Sequence, residues 1–189
     1  MSARVLAFAA LLALGTAAPG SASPRGVTPH VTEFGGTFGS DLGGIALGRD
    51  GSVWVNERDR VAHVERDGRV REYRLPVDVY QGGPSPAGPI GLGPGGDMWF
   101  SCETCVGRIS RDGRIRLYGV TPRNSPHDLS AFAASPNGVW FARQARPSAH
   151  IVELNARGEQ TTLDGDFDYV AALAAAPDGA LWFAASPRT

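Results

Sequence analysis

The sequence predicts an all-β chain built from repeated four-stranded sheets, and three observations carry this. The tryptophans, Trp54, Trp99, Trp140 and Trp182, are the only four in the chain and recur at spacings of 45, 41 and 42 residues. Each follows a turn-forming stretch: Asp50-Gly51-Ser52, Gly95-Gly96-Asp97, Asn137-Gly138 and Asp178-Gly179. Short apolar or alternating runs flank every tryptophan, and Gly and Asp separate them because they reach positive φ at little cost. The 25 glycines and 14 prolines suit many short strands better than a helical bundle.

Taken in order, each repeat opens on a small apolar strand. These are Ile45-Ala46-Leu47, Ile90-Gly91-Leu92, Phe132-Ala133-Ala134 and Leu173-Ala174-Ala175. A turn and the tryptophan strand follow, as in Met98-Trp99-Phe100. A third strand comes next in three of the repeats: Val61 to Val64, Val106 to Ile109, and Ile151 to Leu154. A second turn, such as Asp67-Gly68 or Asp112-Gly113, leads to a fourth strand: Val70 to Tyr73, Ile115 to Tyr118, and Gln160 to Leu163.

Four strands per 41 to 45 residues is the period of a β-propeller blade. The strand characters agree. A small apolar first strand fits the crowded axis, and the tryptophan of the second fills the space between neighbouring blades. A fourth strand half charged with Arg69, Arg71, Glu72 and Arg74 suits an outer edge that repels other sheets. A β-sandwich also alternates and turns, but it gives no reason for the tryptophan period. The expected architecture is therefore a β-propeller of three full blades and part of a fourth, at about residues 41–80, 86–120, 128–164 and 169–189. Val31-Thr32-Glu33-Phe34, within residues 30–35, reads as a possible closing strand.

An arc of this length leaves the outer faces of its first and last blades bare. Each is expected to exceed the few hundred Å² of apolar patch usual on a soluble monomer. Three readings follow: a truncated or frameshifted product of a longer gene, a ring completed by a second copy, or a strained four-blade ring.

Residues 1–22 read as a signal peptide. Arg4 gives a positive start, Val5 to Leu14 is an apolar run too short to span a bilayer, and Ala17 to Ser23 is rich in small residues. Cleavage is expected after Ala22, with Ala18 the second choice. The mature domain, residues 23–189, is expected to be secreted or periplasmic, with no membrane anchor elsewhere. All 18 basic residues are arginine and the net charge is −1, which gives no case for a nucleic-acid or anionic-membrane partner.

The repeat resembles that of the virginiamycin B lyase, or streptogramin B lyase, family. The resemblance is carried by Gly93-Pro94-Gly95-Gly96-Asp97-Met98-Trp99-Phe100, by Val106-Gly107-Arg108-Ile109, and by Asp67-Gly68-Arg69-Val70-Arg71-Glu72-Tyr73-Arg74-Leu75-Pro76. It covers nearly all of the chain after residue 30. It implies a propeller akin to seven-bladed rings and an elimination that opens the ester of a cyclic depsipeptide. Such a reaction needs a base to take a proton α to the carbonyl and a cation, here Mg²⁺, to hold the developing charge. The resemblance also implies where these groups sit: at the channel mouth, where innermost strands begin, as a His following a Pro, a Glu-x-His pair and a further Glu.

Carried onto this chain, the implied positions are Gly43, Gly88, Ser130 and Ala171, none of which is a base. No Glu-x-His occurs. Ser125-Pro126-His127 has the right order but lies three residues early, so His127 is a candidate base or ligand set against a solvated loop histidine. Asp41, Asp128, Asp166, Asp168 and Tyr169 also precede innermost strands. They are candidates for binding a hard cation or a ligand, set against turn capping. Glu57 suits a loop hydrogen bond.

Cys102 and Cys105 are the only cysteines. Two thiols do not complete a zinc site, and a redox C-x-x-C wants a helix start. A disulfide is expected in an oxidising compartment. The arginines of the first blade alternate with acids, as on a solvated edge. His63 and His150 are placed on the surface. The functional expectation is an exported, non-catalytic binding module or truncated remnant, taking a small peptide or glycan or self-associating through its open blade faces. The alternative is a Mg²⁺-dependent streptogramin B lyase.

Overall fold

The structure is a computed structural model that describes residues 38, 42–76, 87–102, 105–119, 129–145 and 147–188. The signal peptide and the possible closing strand at 30–35 lie outside the described residues, as do Asp41, His127 and Asp128.

Among the described residues, thirteen strands fall into three antiparallel sheets. The first joins β1 (Leu42–Leu47), β2 (Val53–Glu57), β3 (Arg60–Val64) and β4 (Val70–Arg74) in chain order. The second joins β5 (Ile90–Leu92), β6 (Met98–Cys102), β7 (Cys105–Ile109) and β8 (Ile115–Gly119). The third runs β9 (Leu129–Ser135), β10 (Gly138–Ala145), β11 (Ser148–Asn155), β12 (Gln160–Ala175) and β13 (Leu181–Pro187). Each tryptophan faces a small residue of its own first strand. The Cα partners are Trp54 with Ala46, Trp99 with Gly91, Trp140 with Ala133 and Trp182 with Ala174.

The sheets stack side by side, and the core is three layers between neighbours. In the first layer Trp54 and Val61 meet Ile90, Met98, Phe100 and Ile109 of the second sheet. In the next, Trp99, Val106 and Tyr118 meet Val139, Phe141, Val152 and Leu154. In the third, Trp140 and Ile151 meet Val170 and Leu181. So each of these indoles fills the gap to the following blade. First strands of adjacent blades also touch. Gly44 N donates to Gly88 O at 3.0 Å, and a Cβ on Gly91 would lie 2.8 Å from that of Ala134. Side-by-side sheets with their first strands together are a propeller arc, and a pair of face-to-face sheets does not produce this pattern.

The fourth strands lie outermost, and their tyrosines cover turns of the next blade. Gly113 has φ 83 and sits under the Tyr73 ring, while Gly158 sits in the same way beneath Tyr118. Only glycine fits there, because the backbone is left-handed and the ring occupies the place of a Cβ.

Two expectations change. The fourth strand of the third blade and the first strand of the fourth are one strand, β12, which pairs with β11 on one side and β13 on the other. The stretch Asp164 to Tyr169 has no proline, and Gly165 is not among the positive-φ glycines, so nothing there turns the chain. Phe167 holds this stretch by an edge-to-face contact with Phe183, ring centroids 5.4 Å apart. Second, His63 is not on the surface. It is buried and stacks on Trp54 at 4.0 Å. The register explains this, since Trp54 and His63 are cross-strand partners on the face that the second blade covers. His150 is half-buried, 3.4 Å from Ser148 Oγ.

Candidate functional site

The ends of the sheets where the first strands begin form one mouth. The described residues there come from the end of β2 (Asn56, Glu57), the approach to β5 (Ala87 to Pro89), and the end of β6 with the start of β7. They also come from the end of β10 (Arg143, Gln144) and the middle of β12 (Asp168, Tyr169). Antiparallel pairing puts them together, because β2, β6 and β10 end where β1, β5 and β9 start.

Hydrogen bonds between blades dominate this rim. The Asn56 amide donates to Gly88 O at 2.9 Å and to Ser101 O at 3.0 Å. Within the second blade, Ser101 N donates to Pro89 O at 2.9 Å. Ser130 Oγ donates to Val170 O at 2.9 Å, and Gln144 Nε2 donates to Asp168 O at 2.7 Å. Asn56 is fully buried, and a lone Asn at a strand end carries no spacing signal that marks its role.

The four implied positions are filled by this framework. A Cβ on Gly43 would overlap the carbonyl of Ala87 and lie 2.6 Å from its Cβ. One on Gly88 would overlap Ser101 Oγ and lie 3.1 Å from Ser101 Cβ. Ser130 spends its hydroxyl on Val170, and Ala171 is exposed without a functional group. None of these sites presents a base to a ligand.

Asp168 and Tyr169 lie inside β12 rather than ahead of a strand, and both are exposed. Asp166 reaches away to Arg188 at 3.5 Å. Glu57 ends β2 as a buried residue, with Oε2 3.9 Å from Arg60 Nε. The Gln144 Oε1 atom is buried and has no hydrogen-bond partner among the described residues. The exposed Tyr169 ring is the feature of the described rim suited to a ligand.

Magnesium takes several oxygen ligands in near-octahedral order. Among the described residues no three His, Cys, Asp or Glu side chains converge, and the four implied positions carry no carboxylate. These residues do not fit the ion.

Cys102 and Cys105 form a disulfide at the mouth, with Cα atoms 4.9 Å apart, linking the end of β6 to the start of β7. Both cysteines are buried in the layer between the first two blades.

A comparison with family models matches residues 26–188 to the virginiamycin B lyase family. The search of curated proteins found no match. Among solved structures, a virginiamycin B lyase from Staphylococcus aureus superposes with TM-score 0.58 at 26% identity, over 74% of this chain and 47% of that one. A catalytically inactive variant of virginiamycin B lyase from the same organism, with quinupristin, gives TM-score 0.59 at 26% identity over 77% of this chain and 49% of that one. A streptogramin B lyase structure gives TM-score 0.51 at 18% identity, over 82% of this chain and 65% of that one, a likeness of fold. The chain thus spans about half the length of the Staphylococcus aureus lyases it matches. With the family match running over most of its residues and the blades stacked as described, the chain belongs to the virginiamycin B lyase family.

Proposed function

We propose that this chain is an exported, ligand-binding member of its family that holds a cyclic peptide of the streptogramin B kind at its mouth without opening it. The observation that carries this is steric. The positions where the resemblance implies functional side chains are Gly43 and Gly88, which have no room for a Cβ, together with Ser130, engaged with Val170, and Ala171. The rim is built to join blades, and elimination needs a base within reach of the substrate proton. Binding needs less. The exposed Tyr169 ring can stack on an apolar or planar group. Export is supported by the apolar run Val5 to Leu14 and the small residues after it.

Family membership favours the second reading, a Mg²⁺-dependent lyase with His127 as its base. Calorimetric titration with quinupristin tests the first. The expected result is saturable binding without Mg²⁺, weakened about tenfold in Tyr169→Ala, the equivalent of ~1.4 kcal/mol. Binding that appears only with Mg²⁺ and is indifferent to Tyr169→Ala would favour the lyase reading. No binding under either condition would remove the peptide ligand from both.

A further inference from the structure

We propose that the two bare blade faces of this chain are the two halves of one interface, and that a second copy closes it head to tail. Among the described residues, the large exposed apolar side chains other than Tyr169 at the rim lie at the two ends of the arc. At one end are Leu42, Ile45 and Leu47 of β1, exposed by 55%, 70% and 67%. At the other is Trp182 of β13, exposed by 41%, with Ala172, Ala174 and Ala184 around it.

The repeat identifies what each face accepts. Ile45 and Leu47 stand where Ile90 and Leu92 stand in the second blade, and those two pack into the layer beneath Trp54. Phe132 and Ala134 meet Trp99 in the same way, and Leu173 and Ala175 meet Trp140. Trp182 is the one indole with no following blade over it. Three times in this chain a tryptophan face takes an apolar first-strand face. The remaining tryptophan face and the remaining first-strand face are the two unmatched members of that series.

Charge agrees with the pairing. Arg111 of the second blade reaches Asp50 of the first at 2.8 Å. Asp178 holds the place of Asp50 in the last blade, four residues before its tryptophan, and Arg66 holds the place of Arg111 in the first. Both lie at the proposed junction with opposite sign. Such an exposed pair adds little energy but helps fix register.

The contact is heterologous: the tryptophan face of one copy meets the first-strand face of the other. Two such contacts related by a two-fold axis close a ring and leave neither face open. Two chains that each span about half of the matched lyases also supply about the length of one.

Light scattering on the eluting full chain tests this. The expected mass is twice that of one chain. A monomer, or an open-ended series of larger species, would overturn the proposal. Ile45→Asp and Trp182→Asp should each give a monomer with an unchanged far-ultraviolet β spectrum. Mixed in equal amounts, they should recover a dimer, because one intact interface re-forms between the wild-type faces. If each variant still dimerises alone, like faces pair with like and the head-to-tail contact is wrong. If the mixture stays monomeric, the faces are not complementary, and the proposal fails.

Discussion

The amide of Asn56 donates at 3.0 Å to the carbonyl of Ser101, across the junction between the first and second blades. The same amide reaches Gly88 O, so one buried side chain ties two segments of the second blade to the first. Truncation takes this donor from Ser101 O in a buried site, while Gly88 O keeps the bond from Gly44 N. Asn56→Ala is expected to cost about 1–3 kcal/mol, the cost of one unsatisfied buried polar group. Urea unfolding checks this, with a lower midpoint at unchanged slope as the expected outcome.

Placing a base at one of the implied positions is expected not to create a lyase. Gly88→His is expected to destabilise the chain, because its Cβ meets Ser101 Oγ before the imidazole has any position at all. Gly88→Ala should cost about 1–3 kcal/mol by overpacking. Ser101→Ala in the same chain should return part of that loss, because the nearest obstruction is the Ser101 hydroxyl. The cycle of single and double variants measures the coupling.

His63 makes stability depend on pH. Burial against Trp54 holds its imidazole below the ordinary value of 6.5, and the nearby Asp50 and Glu65 offset this only in part. Arg71 and Arg111 act in the same direction as burial. Above pH 6.5 both folded and unfolded imidazoles are neutral and the contribution is complete. As pH falls below it, the unfolded chain takes up a proton that the folded chain resists, and stability declines until the folded imidazole also titrates. Thermal melts from pH 7.5 to 5 should show a falling midpoint, and His63→Phe should flatten that part of the profile.

The Cys102–Cys105 disulfide closes a very short loop. Chain-entropy reasoning gives it about 2 kcal/mol, near the low end for disulfides. Reduction should add the mass of two hydrogens and lower the melting midpoint modestly while leaving the blades folded. Free thiols in protein taken from the export compartment would count against the bond.

The propeller was legible in the sequence because blade stacking demands a large side chain at one place per blade. Trp54, Trp99 and Trp140 mark that demand directly. What stayed hidden depends on neighbours rather than period. Alternation places His63 on a face but does not say that the next blade covers it. Asp164 to Tyr169 looks like a break between blades, since it mixes Gly and acids, yet Phe167 finds a partner in Phe183 and keeps the strand running. Of the candidate site, Asp168 and Tyr169 lie inside a strand rather than ahead of one. The rim's main organiser, Asn56, gave no signal, because its role comes from two carbonyls 32 and 45 residues away in the chain.

That no base reaches a bound depsipeptide is tested most directly by incubating the full chain with quinupristin and Mg²⁺. The cyclic peptide is then separated from its linear isomer by chromatography. The cyclic form is expected to persist at the rate of a protein-free control. Linear product that forms only with Mg²⁺ and is lost with EDTA and in His127→Ala would contradict the non-catalytic reading.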